Sequence, residues 1–245
     1  SLAIDVPEAM LFQKFILLGN YIGTENPLDL TPTVHGLVYL SWVLSQHQEH
    51  NRAKAIVRSN LIDGIHDPVL CSNYSGMEPA TIPADKTGDE YTLSLKSNIA
   101  VLKQMQFGHN VLWVAPGGST ENRGLTTDPK SGGILMARKF HAQVGVAAIE
   151  TQPDLYTPKS VKLAIIDMPN IHHQHLSKDA AKRIDRTINW YITQYGLAVI
   201  ASLLPEDQRG EYPQPQESKQ QIIANLIALN SSNTSISGGF LAQAS

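Results

Sequence analysis

From Val111 to Val114 the chain reads Val111-Leu112-Trp113-Val114 with no polar residue, and it then turns through Ala115-Pro116-Gly117-Gly118-Ser119-Thr120. A strand apolar on both faces has to be covered on both faces, which is the situation of a parallel strand between layers of helix. Two further runs have the same character, Phe15 to Leu18, ended by Gly19 and Asn20, and Val144 to Ile149; Val161 to Ile166, interrupted by Lys162, reads as another strand. Ala55-Ile56-Val57 and Thr81-Ile82 read as shorter strands, the second stopped by Pro83. Helical spacing fills the gaps. Pro32 opens a helix to about Gln46, with Leu37, Leu40, Val43 and Leu44 on one face. Leu95, Ile99, Leu102 and Met105 repeat at the same period, with Gly108 as a cap. Ile134 to His141 forms another helix. Ser177 caps one that carries Ile184, Ile188, Tyr191 and Tyr195 and is expected to end at Gly196. Strands alternating with helices predict an α/β fold: a single domain with a largely parallel central sheet flanked by helices.

Past Pro205 the pattern changes. Residues 1–205 are expected to form the α/β domain. Residues 206–218, polar and carrying Pro213 and Pro215, read as a linker. Residues 219–245 read as a C-terminal helix over Lys219 to Leu229 followed by a Ser/Asn/Gly-rich tail. A tail of that composition is disordered when free. If ordered, it is held either by its own domain or by other protein chains.

The totals narrow the function classes. A chain of 245 residues buries about three quarters of the surface its unfolded form exposes, so it needs no disulfide or metal staple. The single cysteine, Cys71, permits no internal disulfide and is expected to be a small buried residue. A formal net charge of −3 offers no broad basic face, so no nucleic acid is expected as a partner. The longest apolar run, Leu37 to Leu44 broken by Ser41, is far short of the ~20 residues of a membrane span. The expectation is therefore no transmembrane span, with peripheral membrane contact left open. His172, His173 and His175 follow Pro169 with no cysteine or well-spaced carboxylate, so they read as a solvated loop and no metal site is expected. His47 and His50 sit at a helix end, where their charge suits the C-terminal dipole. Trp42, Trp113 and Trp190 fall on apolar faces and read as core.

Two segments carry a resemblance. The first is Gly19-Asn20-Tyr21-Ile22-Gly23-Thr24-Glu25-Asn26-Pro27. The second is Val111 through Arg123, an apolar strand running into Ala115-Pro116 and glycines. Together they resemble the soluble glycerol-3-phosphate acyltransferases of plastids and some bacteria. Asp67-Pro68-Val69-Leu70-Cys71, Ser94-Leu95-Lys96 ahead of Gln104, Val144 to Ile149, Pro158 and Lys162 to Met168 extend the likeness to roughly residues 12–200, although each motif alone is weak. The family's catalytic His position holds Tyr21 and its Asp position holds Asn26. In the family the His removes the acceptor hydroxyl's proton, and the Asp fixes the imidazole tautomer and steadies its charge. A phenol titrates near ~10, and losing general-base help typically costs a factor of about 10² to 10⁴. Asn26 carries no charge to steady an imidazolium.

For substrate binding the resemblance implies Lys86, Gly117, Gly118, Ser119 and Arg123. A loop of glycines and backbone N–H groups with a nearby guanidinium can hold a phosphate. The counterpart of the family's second arginine is Ser119 or Glu121, and Lys86 is followed by Thr87 rather than His. Solvated loop charge and ordinary turns explain the same residues without a ligand. Gly132 and Gly133 read equally as a helix start or as part of a phosphate or carboxylate site. The resemblance implies no cofactor. It implies an acyltransferase-like protein that has given up catalysis and serves as a subunit or lipid-binding accessory of a larger assembly. The alternative is an active enzyme moving an acyl group from acyl carrier protein or coenzyme A to glycerol 3-phosphate or a related hydroxyl acceptor. Acyl carrier protein or lipid are the partners that follow, and the plastid stroma or a bacterial cytoplasm is the location that follows.

Overall fold

The structure is a computed structural model and describes residues 3–20, 36, 40, 43, 53–58, 78–82, 111–114, 116, 125–152 and 158–244. Its strands are β1 (Ala3–Asp5), β2 (Phe15–Gly19), β3 (Ala53–Arg58), β4 (Glu78–Ile82), β5 (Val111–Val114), β6 (Gln143–Thr151), β7 (Pro158–Ile166), β8 (Asn170–His173) and β9 (Thr234–Ser237). Its helices are α1 (Glu8–Phe12), α2 (Gly132–Phe140), α3 (Lys178–Leu203) and α4 (Pro215–Ala228), and residues 36, 40 and 43 are also helical. Seven strands form one mixed sheet in the order β1-β7-β6-β2-β5-β3-β4. Only β6 and β7 pair antiparallel; the other neighbours are parallel. The chain is thus α/β, and each strand expected from an apolar run is present.

Strand β2 sits at the centre, and all five of its residues are buried. Ile16 and Leu18 face α2 and α3, sharing a core with Val144, Val146, Ile134, Ile188 and Ile192. Leu17 and Ile149 face the other way. There the helical segment at Gly36 comes so close that a Cβ on Gly36 would lie 3.2 Å from Ile149 Cδ1 and 3.3 Å from Val161 Cγ2. Helices therefore cover both faces, as the unbroken apolar runs require.

Helix α3 runs 26 residues and does not stop at Gly196. Ser177 caps it as expected, its Oγ accepting from Ala180 N–H at 3.2 Å. Gly196 is buried in mid-helix, and a Cβ there would lie 2.8 Å from Leu18 Cδ1. The glycine provides room for β2, where the sequence suggested a helix end. On α2, a Cβ on Gly133 would lie 3.1 Å from the other methyl of the same residue, Leu18 Cδ2. One leucine is thus seated between two glycines of two helices.

The C-terminal expectations are corrected in three places. The stretch taken as a linker is built into the core: Tyr212 is 2% exposed, its hydroxyl donates to Thr126 O at 3.3 Å, and α4 already begins at Pro215. The tail is held by its own domain, so its order calls for no partner chain. β9 pairs antiparallel with β8, Ile236, Phe240 and Leu241 are buried, and Phe240 stacks on Tyr195 with centroids 4.0 Å apart. Gly239, at φ 59°, passes so close to the backbone of Asp167 that a Cβ would lie 2.5 Å from its carbonyl oxygen, so only glycine fits. His172 and His173 lie in β8 rather than in a loop, with His175 just beyond it, and His173 Nε2 meets Asp185 Oδ1 at 2.9 Å.

Alanine normally improves on glycine within a helix by about 1 kcal/mol. At Gly196 the added methyl meets a leucine that Gly133 blocks from behind, and overpacking of that kind costs about 1–3 kcal/mol. Gly196→Ala is therefore expected to lower the urea midpoint. Leu18→Ala should cost about 2–5 kcal/mol through a cavity. The double variant should lose less than the sum of the two, because the new methyl fills part of that cavity; equilibrium unfolding of all four proteins measures the coupling.

Candidate functional site

The parallel strands finish at one edge of the sheet. β2 and β5 are neighbours in register, with Leu18 opposite Val114. The residue after β2, Asn20, is buried, and its side chain prolongs the ladder onto β6: Nδ2 donates to Ile149 O at 2.9 Å, and Oδ1 accepts from Ile149 N–H at 2.8 Å. Two residues after β5, Pro116 is buried and its carbonyl accepts from Lys130 N–H at 2.7 Å. The helical residue Gly36, next described after β2, lies on the Leu17 face, and α2, which follows β5, lies on the Leu18 face. Neighbouring parallel strands whose following helices lie on opposite faces mark a switch point, and the carboxyl edge there, called the crevice below, is where α/β sheets take up ligands.

Both segments singled out in the sequence start at this crevice. Tyr21 follows Asn20, and Gly117 follows Pro116. Tyr21, Asn26, Lys86, Gly117, Gly118, Ser119 and Arg123 themselves lie outside the described residues, as do Cys71, His47 and His50. What is brought together is the pair of strand ends from which the two segments leave. Lys86 follows β4, the edge strand, which is separated from β5 by β3.

No protein-family model matches the chain, and no curated protein matches it in sequence. The site is therefore read from its own residues.

One feature of the crevice was half legible in the sequence, where Gly132 and Gly133 stood out but Lys130 did not. α2 begins beside the ends of β2 and β5, since the space a Gly133 Cβ would take is bounded by Leu18, Ile16 and Val114. Its Ser131 makes no side-chain capping bond, a Cβ on Gly132 would meet nothing within 4 Å, and the side chain of Lys130 is exposed. First-turn N–H groups carry about half a positive charge, so this end adds to the attraction of any anion in the crevice. The signal was Lys130-Ser131-Gly132-Gly133, a lysine directly before a small-residue helix start. Among the described residues no group of three or more His, Cys, Asp or Glu is placed to hold a metal ion.

Two polar networks brace this edge. Glu150, near the end of β6, is 8% exposed. It accepts from Lys159 Nζ at 2.6 Å and Ser160 Oγ at 2.9 Å, with Lys162 Nζ at 3.4 Å. The Lys159 bond, helped by Ser160 and the two lysine charges and opposed by burial, holds its carboxyl below the ordinary range. Lys162 also donates to Leu203 O at the end of α3, at 2.9 Å. In the second network the 206–214 segment clasps the chain that returns from the β5 turn. Glu211 Oε2 accepts from Thr127 N–H and Thr127 Oγ1, and Glu211 N–H donates to Leu125 O at 2.9 Å. Gln208 pairs its amide with both backbone groups of Thr151 at 3.1 Å.

Asn20→Ala strips both backbone groups of buried Ile149 of their partners and is expected to cost about 2–4 kcal/mol, read as a drop in unfolding free energy. Glu150 has a folded-state pKa depressed from its unfolded value. Its contribution is present above the unfolded value near ~4.3 and fades as pH falls through the folded one. Glu150→Gln should lose about 1–3 kcal/mol at neutral pH and should also flatten the loss of stability between about pH 5 and pH 3; chemical unfolding repeated across that range checks both.

Proposed function

We propose that this is an acyltransferase-like protein that binds a phosphate-bearing glycerol ester at the crevice between β2 and β5 without transferring an acyl group to it. The observation that carries the proposal is the adjacency of the two strand ends, which sets the departure points of residues 20–27 and 115–123 side by side at the carboxyl edge of the sheet. That is the arrangement the resemblance to the glycerol-3-phosphate acyltransferases calls for, and the open start of α2 with Lys130 suits an anionic ligand. The case against catalysis rests on chemistry. Tyr21, in the His position, is a very weak base at neutral pH, and Asn26 has no charge with which to steady an imidazolium. An accessory role in a lipid-handling assembly follows from those two residues alone, because the chain's own domain accounts for the order of the tail. A plastid stroma or a bacterial cytoplasm is part of the same proposal.

The test is an acyl-transfer assay with labelled acyl carrier protein and glycerol 3-phosphate, run beside titration calorimetry with glycerol 3-phosphate. The parent protein is expected to bind the ester and to transfer nothing. Tyr21→His with Asn26→Asp is expected to gain transfer by at least a factor of about 10² over background. Tyr21-dependent transfer by the parent would reinstate the active enzyme. Absence of binding in both proteins would remove the ligand assignment altogether.

A further inference from the structure

Away from the crevice, the first third of α3 presents cations that the fold does not use. Lys178, Lys182 and Arg186 follow one another at four-residue intervals, Arg183 lies beside them, and all four are exposed. Among the described residues none of the four takes part in an ion pair. The arrangement is costly for the isolated helix. Like charges four apart repel along the row, and Lys178 stands in the first turn, at the positive end of the helix dipole. Asp179 relieves part of this through its spacing to Lys182 and Arg183, while Asp185 is engaged by His173. The last turn of α2 adds Arg138 and Lys139. Arg138 lies close enough to Asp185 to feel its charge, and its Nε and Nη2 are buried without hydrogen-bond partners. Six cations thus face two carboxylates in a chain whose formal net charge is −3, so the negative excess lies elsewhere and the molecule is electrically polar.

Apolar side chains lie among these cations. Leu135 is 58% exposed and stands three and four residues before Arg138 and Lys139, on the same side of α2. Trp190 is partly exposed, one turn beyond Arg186, with its ring edge-on to Tyr191 at 5.1 Å. Cations on long stems alternating with a leucine and an indole suit a surface that is negatively charged outside and apolar beneath. No helix among the described residues is long and apolar enough to cross a membrane, so contact through these helices lies along the surface.

We propose that the face formed by the last turn of α2 and the first third of α3 docks on an anionic phospholipid surface, with Lys178, Lys182, Arg183 and Arg186 on the headgroups and Leu135 and Trp190 at the acyl boundary. The proposal is independent of whether the crevice binds a glycerol ester. The full chain is sedimented with vesicles of phosphatidylcholine alone and of equimolar phosphatidylcholine and phosphatidylglycerol, at low and at physiological salt. Binding is expected only to the mixed vesicles and should weaken with salt. Lys182→Ala/Arg183→Ala/Arg186→Ala should reduce it on the order of 100-fold, at about fivefold per cation. Arg186→Ala alone should lose about fivefold, Lys219→Ala on α4 should leave binding close to that of the parent protein, and Leu135→Ser should weaken binding at both salt concentrations. Leu135, Lys182, Arg183 and Arg186 are exposed and Lys219 is half-buried, and circular dichroism verifies that the variants fold. Equal binding to neutral vesicles, or a triple variant that binds like the parent protein, overturns the proposal. So does a parent protein that ignores vesicles yet binds soluble poly-glutamate, which would reassign the face to an acidic protein.

Discussion

Leu18 holds the two layers of the structure together. Its two methyl groups occupy the places where α2 and α3 would otherwise carry side chains, because those helices present Gly133 and Gly196 to it. A helix normally stands off a sheet by the length of its own side chains. Here two helices close down on the central strand at one residue, and that residue is the last but one of β2. The start of α2 is thereby drawn to the ends of β2 and β5, and Asn20 is fixed two residues further on. The crevice inherits its geometry from this contact, since α2 could not lie closer to β2 and could not sit farther away without opening a void around a fully buried leucine.

From that point the polar braces work outward. Asn20 extends β2 onto β6 with a side chain where the backbone ladder has ended. Glu150 ties the end of β6 to β7 through lysines, one of which also reaches the end of α3. Gln208 and Glu211 then sew the segment after α3 to β6 and to the return from the β5 turn. These contacts are individually modest, yet each spans a different pair of elements at the same edge. Loosening one leaves the others in place, which suits an edge that has to keep two strand ends side by side.

The strands were plain in the sequence because apolar runs bounded by Gly, Asn or Pro leave few alternatives. β2, β5 and β6 all fall where Phe15–Leu18, Val111–Val114 and Val144–Ile149 placed them. Helix boundaries were less legible. Gly196 looked like a stop because glycine is a poor helix former, but its meaning depended on Leu18, some 178 residues earlier in the chain. The 206–218 segment was misread for a related reason, and what holds the tail was left open between its own domain and other chains. Composition averages over a stretch, whereas order there comes from Tyr212, Ile236 and Phe240, single apolar anchors set among polar residues. At the crevice the sequence pointed to the right strand ends. It marked Gly132 and Gly133 as a helix start or an anion site but missed Lys130, because a lysine ahead of small residues becomes informative only once the helix is known to begin beside β2 and β5.

The docking of Phe240 against Tyr195 bears on how the chain acquires its fold during synthesis. Tyr195 on α3 emerges from the ribosome well before Phe240, which stacks on it. β1 likewise waits for β7 before it has a strand to pair with. The sheet's most distant pairings and the closing of its core both depend on late-arriving segments, so the nascent chain must carry exposed apolar surface for most of its translation. Such a chain is expected to lean on chaperones until residue 241 has left the exit tunnel, and a deletion of residues 234–241 would leave it in that state permanently.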